Sequence, residues 1–178
     1  MLSDEDIWRS PPKAPYRPTS TRLNVPLNAL EATISSLRRA GSLESSVFWY
    51  GPRNGDMSTV AAVLTPQQIM TRGNYHVDAA AMSEMLRDVD DAWRPLAQIH
   101  SHPGWNVEHS TYDDRMASSR KALSIVFPFY GRWNGPWPSG AGVHEWQDDY
   151  WHLLAVGDAA RRVRVIATAP LLSRDFRR

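Results

Sequence analysis

From Pro26 onward the apolar positions of the chain alternate between helical and extended spacing. Leu27, Leu30, Ile34 and Leu37 recur every three or four residues, with Asn28, Glu31, Ser35 and Arg38 between them. That spacing predicts an amphipathic helix with proline at its start, Arg38 and Arg39 in its last turn and Gly41 just beyond. Val47–Tyr50 reads as a short buried strand ending at Gly51-Pro52, and Val60–Leu64 as its hairpin partner through Asn54-Gly55-Asp56. A second helix is expected from about Asp78 to Ala92, with Met82, Met85, Leu86 and Val89 inward, followed by a strand over Pro95–His100. Ser110 or Thr111 caps a third helix running to about Lys121, and Leu123–Phe127 is another buried strand. After a Gly/Pro-rich loop over 131–142, three extended runs close the chain: Val143–Gln147, Tyr150–Val156 and Arg162–Thr168. Strands interleaved with helices imply an α/β (α+β) domain.

Residues 1–25 lack this patterning. Pro11, Pro12, Pro15 and Pro18 remove backbone donors and favour extended conformations. The expectation is a mostly mobile arm over 1–25, with Trp8 and Tyr16 as aromatic points that would dock it, and one domain over 26–178. The length of 178 residues suits a single core. Twenty Lys+Arg against nineteen Asp+Glu argue against a general nucleic-acid binder. No apolar run approaches the roughly 20 residues needed to span a bilayer. The acidic start Ser3-Asp4-Glu5-Asp6 is unlike a secretory signal. The chain has no cysteine, which rules out disulfides, thiolate metal cages and a cysteine nucleophile. A cytoplasmic protein without nucleic-acid or membrane partners is expected.

The chemistry concentrates in His100-Ser101-His102-Pro103, followed by Ser110 and Asp113. On a strand, residues two apart share a face, so both imidazoles can present to one ion. Pro103-Gly104 ends the strand, and the chain can turn back to bring Asp113 into the first turn of the helix capped by Ser110. Two imidazoles and a carboxylate leave a fourth tetrahedral position for water, the mark of a catalytic zinc site. Zn²⁺ lowers the pKa of its water to about 7, and a hydrolase then needs a base. Glu44, just before the apolar Val47–Tyr50 run, is the candidate, although Glu31 and Glu84 also lie upstream. Ser110 is the candidate hydrogen-bond donor to an oxyanion.

The run His-Ser-His-Pro, with Ser eight residues after the second His and Asp three after that Ser, resembles the JAMM (JAB/MPN+) metalloprotease motif. The segment from Glu44 to Gly51 resembles the same family's first-strand motif, with Ser46 where many relatives carry glycine. The resemblance covers roughly residues 26–168 and implies an MPN/JAB-type mixed sheet flanked by helices, with a cytidine-deaminase-like layout. It implies that His100, His102 and Asp113 bind zinc, Glu44 is the general acid/base and Ser110 steadies the intermediate; Asp114 is the neighbouring alternative to Asp113. It further implies cleavage after the C-terminus of a ubiquitin-like protein, as maturation or removal from targets. The compact length resembles prokaryotic members, found with ubiquitin-like conjugation or sulfur-carrier systems, including antiviral operons. A ubiquitin-like protein, its conjugates and conjugation-system enzymes are the partners so implied.

Blander readings apply elsewhere. His76, His144 and His152 lack partner spacing, and His109 reads as a solvated loop residue beside the site. Most of the eight tryptophans are core material, while Trp105, Trp133 and Trp137 are placed to flank an extended peptide at a sheet edge. The Arg161-Arg162-Val163-Arg164 run reads as a solvated face. Rival functions are hydrolysis of a small adduct from a sulfur-carrier protein, a non-catalytic MPN scaffold, and a metal-free module binding through its Trp-rich loops.

Overall fold

The structure, a computed structural model, describes residues 9–178. Its architecture is a mixed α+β fold built on one seven-stranded sheet. The helix predicted from apolar spacing forms as α1 (Leu27–Arg39), and Ala29, Leu30 and Leu37 are buried along one stripe. The first buried run forms β2 (Ser46–Gly51), preceded by β1 (Arg22–Pro26). Every residue of β2 is buried, because its two faces feed different cores. Val47 and Trp49 pack with α1, whereas Phe48 and Tyr50 pack with Leu64 and Met85 on the other side.

The hairpin expected at Asn54-Gly55-Asp56 is real but divided. Its tip is a small pair, β3 (Arg53–Asn54) and β4 (Met57–Thr59), and the chain then returns beside β2 as β5 (Ala62–Thr65). Gly51 is required at the division, since a side-chain carbon there would overlap the Thr59 carbonyl. A two-stranded finger follows, β6 (Ile69–Thr71) and β7 (Asn74–His76). Helix α2 (Ala79–Leu86) is capped by the Asp78 side chain on the Ala81 N–H. It stops well short of Ala92, so Leu86 is 42% exposed rather than inward. Asp88, Asp90 and Asp91 lie just where a continued helix would place its negative dipole end.

The remaining strands are β8 (Arg94–Ser101), β9 (Leu123–Phe127), β10 (Gly142–Gln147) and β11 (Tyr150–Leu153). Between β8 and β9, α3 (Thr111–Met116) ends earlier than its sequence suggested. The Gln98 side chain stops it: Gln98 Oε1 accepts from Ser118 N and Oγ at 2.9 and 3.0 Å, and its amide donates to the Met116 carbonyl at 3.1 Å. The expected run Tyr150–Val156 ends at Leu153, α4 (Val156–Arg162) follows, β12 (Val163–Ile166) falls within the expected run Arg162–Thr168, and β13 (Leu172–Asp175) closes the chain. The large sheet runs β11-β10-β9-β8-β2-β5-β13, and a second sheet runs β12-β1-β4-β3.

Residues 22–25, read from sequence as part of the arm, belong to β1, where Leu23 and Val25 are buried and pair in register with Val163 and Val165. Residues before β1 are docked along much of their described length. Tyr16 donates to Glu145 at 2.8 Å, and Arg9 donates to Asp114 and to the Trp151 carbonyl at 2.8 and 2.7 Å. The docking expected of Trp8 lies outside the described residues. Among the described residues no helix is long and apolar enough to cross a membrane.

Candidate metal centre

Register brings the site together. Strands β2 and β8 are antiparallel with Ser46 opposite His100 and Phe48 opposite Gln98. Continuing that register by two residues sets Glu44 across from His102, on the face that His100 also uses. Ser46 is clamped there by the Gln68 amide, which accepts from Ser46 N at 2.8 Å and donates to Ser46 O at 3.0 Å. The Glu44 N–H donates to the Thr71 carbonyl of the β6–β7 finger at 2.7 Å, anchoring the residue at the sheet end.

His100 Nε2 lies 3.1 Å from His102 Nε2. Asp113 sets one carboxylate oxygen beside each ring, with Oδ1 3.3 Å from His100 Nε2 and Oδ2 3.4 Å from His102 Nε2. Bonds of ~2.0–2.1 Å around a tetrahedral zinc place adjacent ligand atoms ~3.3 Å apart, and one ligand atom from each of the three residues lies within 4.8 Å of the others, so the group could hold one ion. The chemistry of the donors agrees. His102 Nδ1–H donates to the Asn106 carbonyl at 2.8 Å, which leaves a bare lone pair on Nε2. With the His100 ring and the Asp113 carboxylate beside it, that lone pair belongs to a group that could hold a cation.

Helix α3 presents the carboxylate. Ser110 is its N-cap, accepting from Asp113 N at 3.2 Å, while Asp113 Oδ2 accepts from Ser110 N and Oγ at 2.7 and 2.8 Å. This reciprocal box fixes Asp113 and occupies the Ser110 hydroxyl proton. The loop between His102 and Ser110 packs tightly on β10: a side-chain carbon at Gly142 would come within 2.5 Å of the Val107 carbonyl. On the other flank, Tyr130 N donates to the His102 carbonyl at 2.8 Å and its hydroxyl to the Arg72 carbonyl at 2.8 Å. Phe129 and Tyr130 reach this position with φ of 52° and 55°, a left-handed conformation costly for non-glycine residues.

The charges are strongly coupled. Burial favours the neutral form of Asp113, but the two imidazoles overcome it and hold its pKa well below the usual carboxylate range. His100 is shifted down by burial, against the pull of Asp113. For His102 the hydrogen bond and charge of Asp113 outweigh burial, and its pKa rises. Glu44 is 5% exposed, and burial pushes its pKa up to about 8, opposed by His102 and reinforced by Asp113. Glu44, His102, Ser110 and Asp113 line one cleft of about 410 Å³. Glu31 and Glu84 are exposed on α1 and α2 and do not line it.

Several supporting residues were not apparent from sequence. His109 is buried rather than solvated, because both ring nitrogens are satisfied: Nδ1 donates to Asp114 at 2.9 Å and Nε2 accepts from Ser124 at 2.7 Å. It stacks on buried His144 at 4.0 Å and lies 5.8 Å from His100. Asp114 thus faces Arg9 and His109 while Asp113 faces the histidine pair. The adjacency of two aspartates was the available signal, but nothing local said which way each would point. Of the three tryptophans expected beside a peptide, Trp105 is 79% exposed, whereas Trp133 and Trp137 are partly buried against the core.

No family model matches the chain. The solution structure of protein DSY2949 from Desulfitobacterium hafniense superposes with a TM-score of 0.60 at 16% identity, covering 82% of this chain and 93% of that one, a likeness of fold. The probable metalloprotease y4jG of Sinorhizobium fredii (strain NBRC 101917 / NGR234) is 30% identical over 114 residues, which are 60% of this chain and 68% of that protein. With that identity and coverage, the chain belongs to the same family as this probable metalloprotease.

Proposed function

We propose that the protein is a JAMM-type zinc metallo-isopeptidase or peptidase that cleaves after the C-terminus of a ubiquitin-like protein. The observation that carries this reading is the convergence of His100, His102 and Asp113, whose nitrogens and carboxylate oxygens approach one another to 3.1–3.4 Å, beside the buried Glu44 carboxyl on the same cleft. The relative's description as a probable metalloprotease supports the hydrolytic part, and the motif resemblance supports the zinc and the ubiquitin-like substrate.

His100, His102 and Asp113 would hold the zinc, which when bound polarises a scissile carbonyl and acidifies water. Glu44 takes a proton from the attacking water and delivers it to the leaving amine. Burial raises the Glu44 pKa, and a divalent cation held by the three ligands would favour the carboxylate form needed for a base. Ser110 orients Asp113 through its hydroxyl; rotated away from that carboxylate, the same hydroxyl is the donor for the developing oxyanion. Asn106, through its carbonyl, keeps His102 in the tautomer that offers Nε2.

The test is incubation of the full chain, loaded with zinc, with a ubiquitin-like protein bearing a C-terminal extension. Release of the extension, abolished by Glu44→Gln and by chelation, is expected. Zinc bound at one ion per chain without cleavage of extended or isopeptide-linked substrates would sink the isopeptidase reading while leaving the metal site standing.

A further inference from the structure

At the far end of β8 from the metal centre, a second cleft of about 310 Å³ opens between the two sheets. Its floor includes Leu96 at the start of β8, four residues before His100 and so ~13 Å away along the strand. Five cationic side chains line it: Arg22, Arg53, Arg120, Lys121 and Arg162. They outnumber its two carboxylates, which are already engaged. Glu145 accepts from Arg162 at 3.1 Å and from Tyr16 at 2.8 Å, and Asp56 accepts from the Ser20 hydroxyl at 3.0 Å.

Two of the cations are held in place from below. Arg53 donates to the Pro95 and Lys121 carbonyls at 3.0 and 2.8 Å, and Arg120 lies over the Trp146 ring at 4.1 Å. Among the described residues, Arg22, Arg120 and Lys121 make no ion pair with a carboxylate. Burial lowers the Arg53 pKa, and the charges of Arg162 and Arg94 add to it. Guanidinium forks match oxyanions geometrically, and a fixed fork loses little freedom on binding.

We infer that this cleft binds a small multivalent oxyanion of the phosphate class, such as a pyrophosphate or nucleoside triphosphate group, at a site separate from the metal centre. The volume suits a ligand of that size, and the clustered, pre-positioned guanidinium groups supply the recognition. The inference does not depend on the peptidase reading.

Calorimetric titration of the full chain with pyrophosphate, ATP and citrate tests it, beside the double variant Arg120→Glu/Lys121→Glu. Both positions are exposed, so the variant is expected to keep the parent circular dichroism spectrum and zinc content. Saturable binding of pyrophosphate and ATP is expected, weakened at least ~10-fold in the variant and weakened by added salt. Undiminished binding to the variant, or no saturation by ~1 mM ligand, overturns the assignment. Tighter binding of citrate than of pyrophosphate overturns the phosphate class, and a single-stranded oligonucleotide that outcompetes ATP overturns the small-ligand reading.

Discussion

Replacing Glu44 by glutamine in the metal-free protein changes how stability depends on pH. In the fold the carboxyl, 5% exposed, keeps its proton up to about pH 8, because burial outweighs the attraction of His102. Unfolded, it ionises near the usual ~4.3. Between those values the native state binds the extra proton, so the group's contribution is full below the unfolded pKa and is lost as pH rises towards the folded one. Each pH unit in that window is worth ~1.4 kcal/mol. From about pH 5 to pH 8 the native wild type therefore loses on the order of 4 kcal/mol relative to Glu44→Gln. Buried His100, His109 and His144 have lowered pKa values and titrate in the opposite sense. They are common to both proteins, so the difference between the two reports Glu44 together with its coupling to His102 and Asp113. Urea unfolding of both with a chelator present, across that pH range, measures it. Parallel pH profiles would show that Glu44 is solvated in the native state and refute the burial on which its proposed role as a base rests. With zinc bound, the difference is expected to shrink, since the cation favours the ionised form.

Further outcomes follow from the same contacts. Asp113→Asn is expected to weaken zinc binding by more than the ~10–100-fold commanded by a supporting residue, measured by competition with a chromogenic chelator. Ser110→Ala is expected to fall within that ~10–100-fold range and to cost ~1 kcal/mol of stability through the lost helix cap. Zinc affinity should decline as pH falls through and below the elevated pKa of His102, because the metal must displace that ring's proton. Arg9→Ala removes the ion pair on Asp114, whose pKa burial already lifts to about 6, and is expected to destabilise the fold by ~1–3 kcal/mol in denaturant melts without abolishing zinc binding.

What the sequence made legible was whatever local spacing dictates. The 3.6-residue stripe of Leu27–Leu37 and the apolar runs of β2, β8 and β9 needed no tertiary information. The pairing of His100 with His102 followed from strand alternation, and the place of Asp113 in the first turn of a helix capped by Ser110 from helix-capping chemistry. The misread ends were decided at a distance. Helix α3 stops at Met116 because Gln98, on a strand, takes the next backbone groups. Strand β1 exists because β12, more than a hundred residues later, pairs with it, and β13 adds to the sheet only through β5. His109 and Arg9 were likewise silent, since their partners Ser124 and Asp114 meet them through folding rather than spacing.

Zinc K-edge absorption on the stoichiometrically loaded full chain, compared with His102→Ala, probes the convergence of two imidazoles and one carboxylate most directly. One zinc per chain is expected, with a nitrogen/oxygen shell at ~2.0–2.1 Å and two-imidazole scattering that falls to one in the variant. A spectrum identical in the two proteins, or a chain that retains no stoichiometric metal, would mean that these side chains do not form the centre.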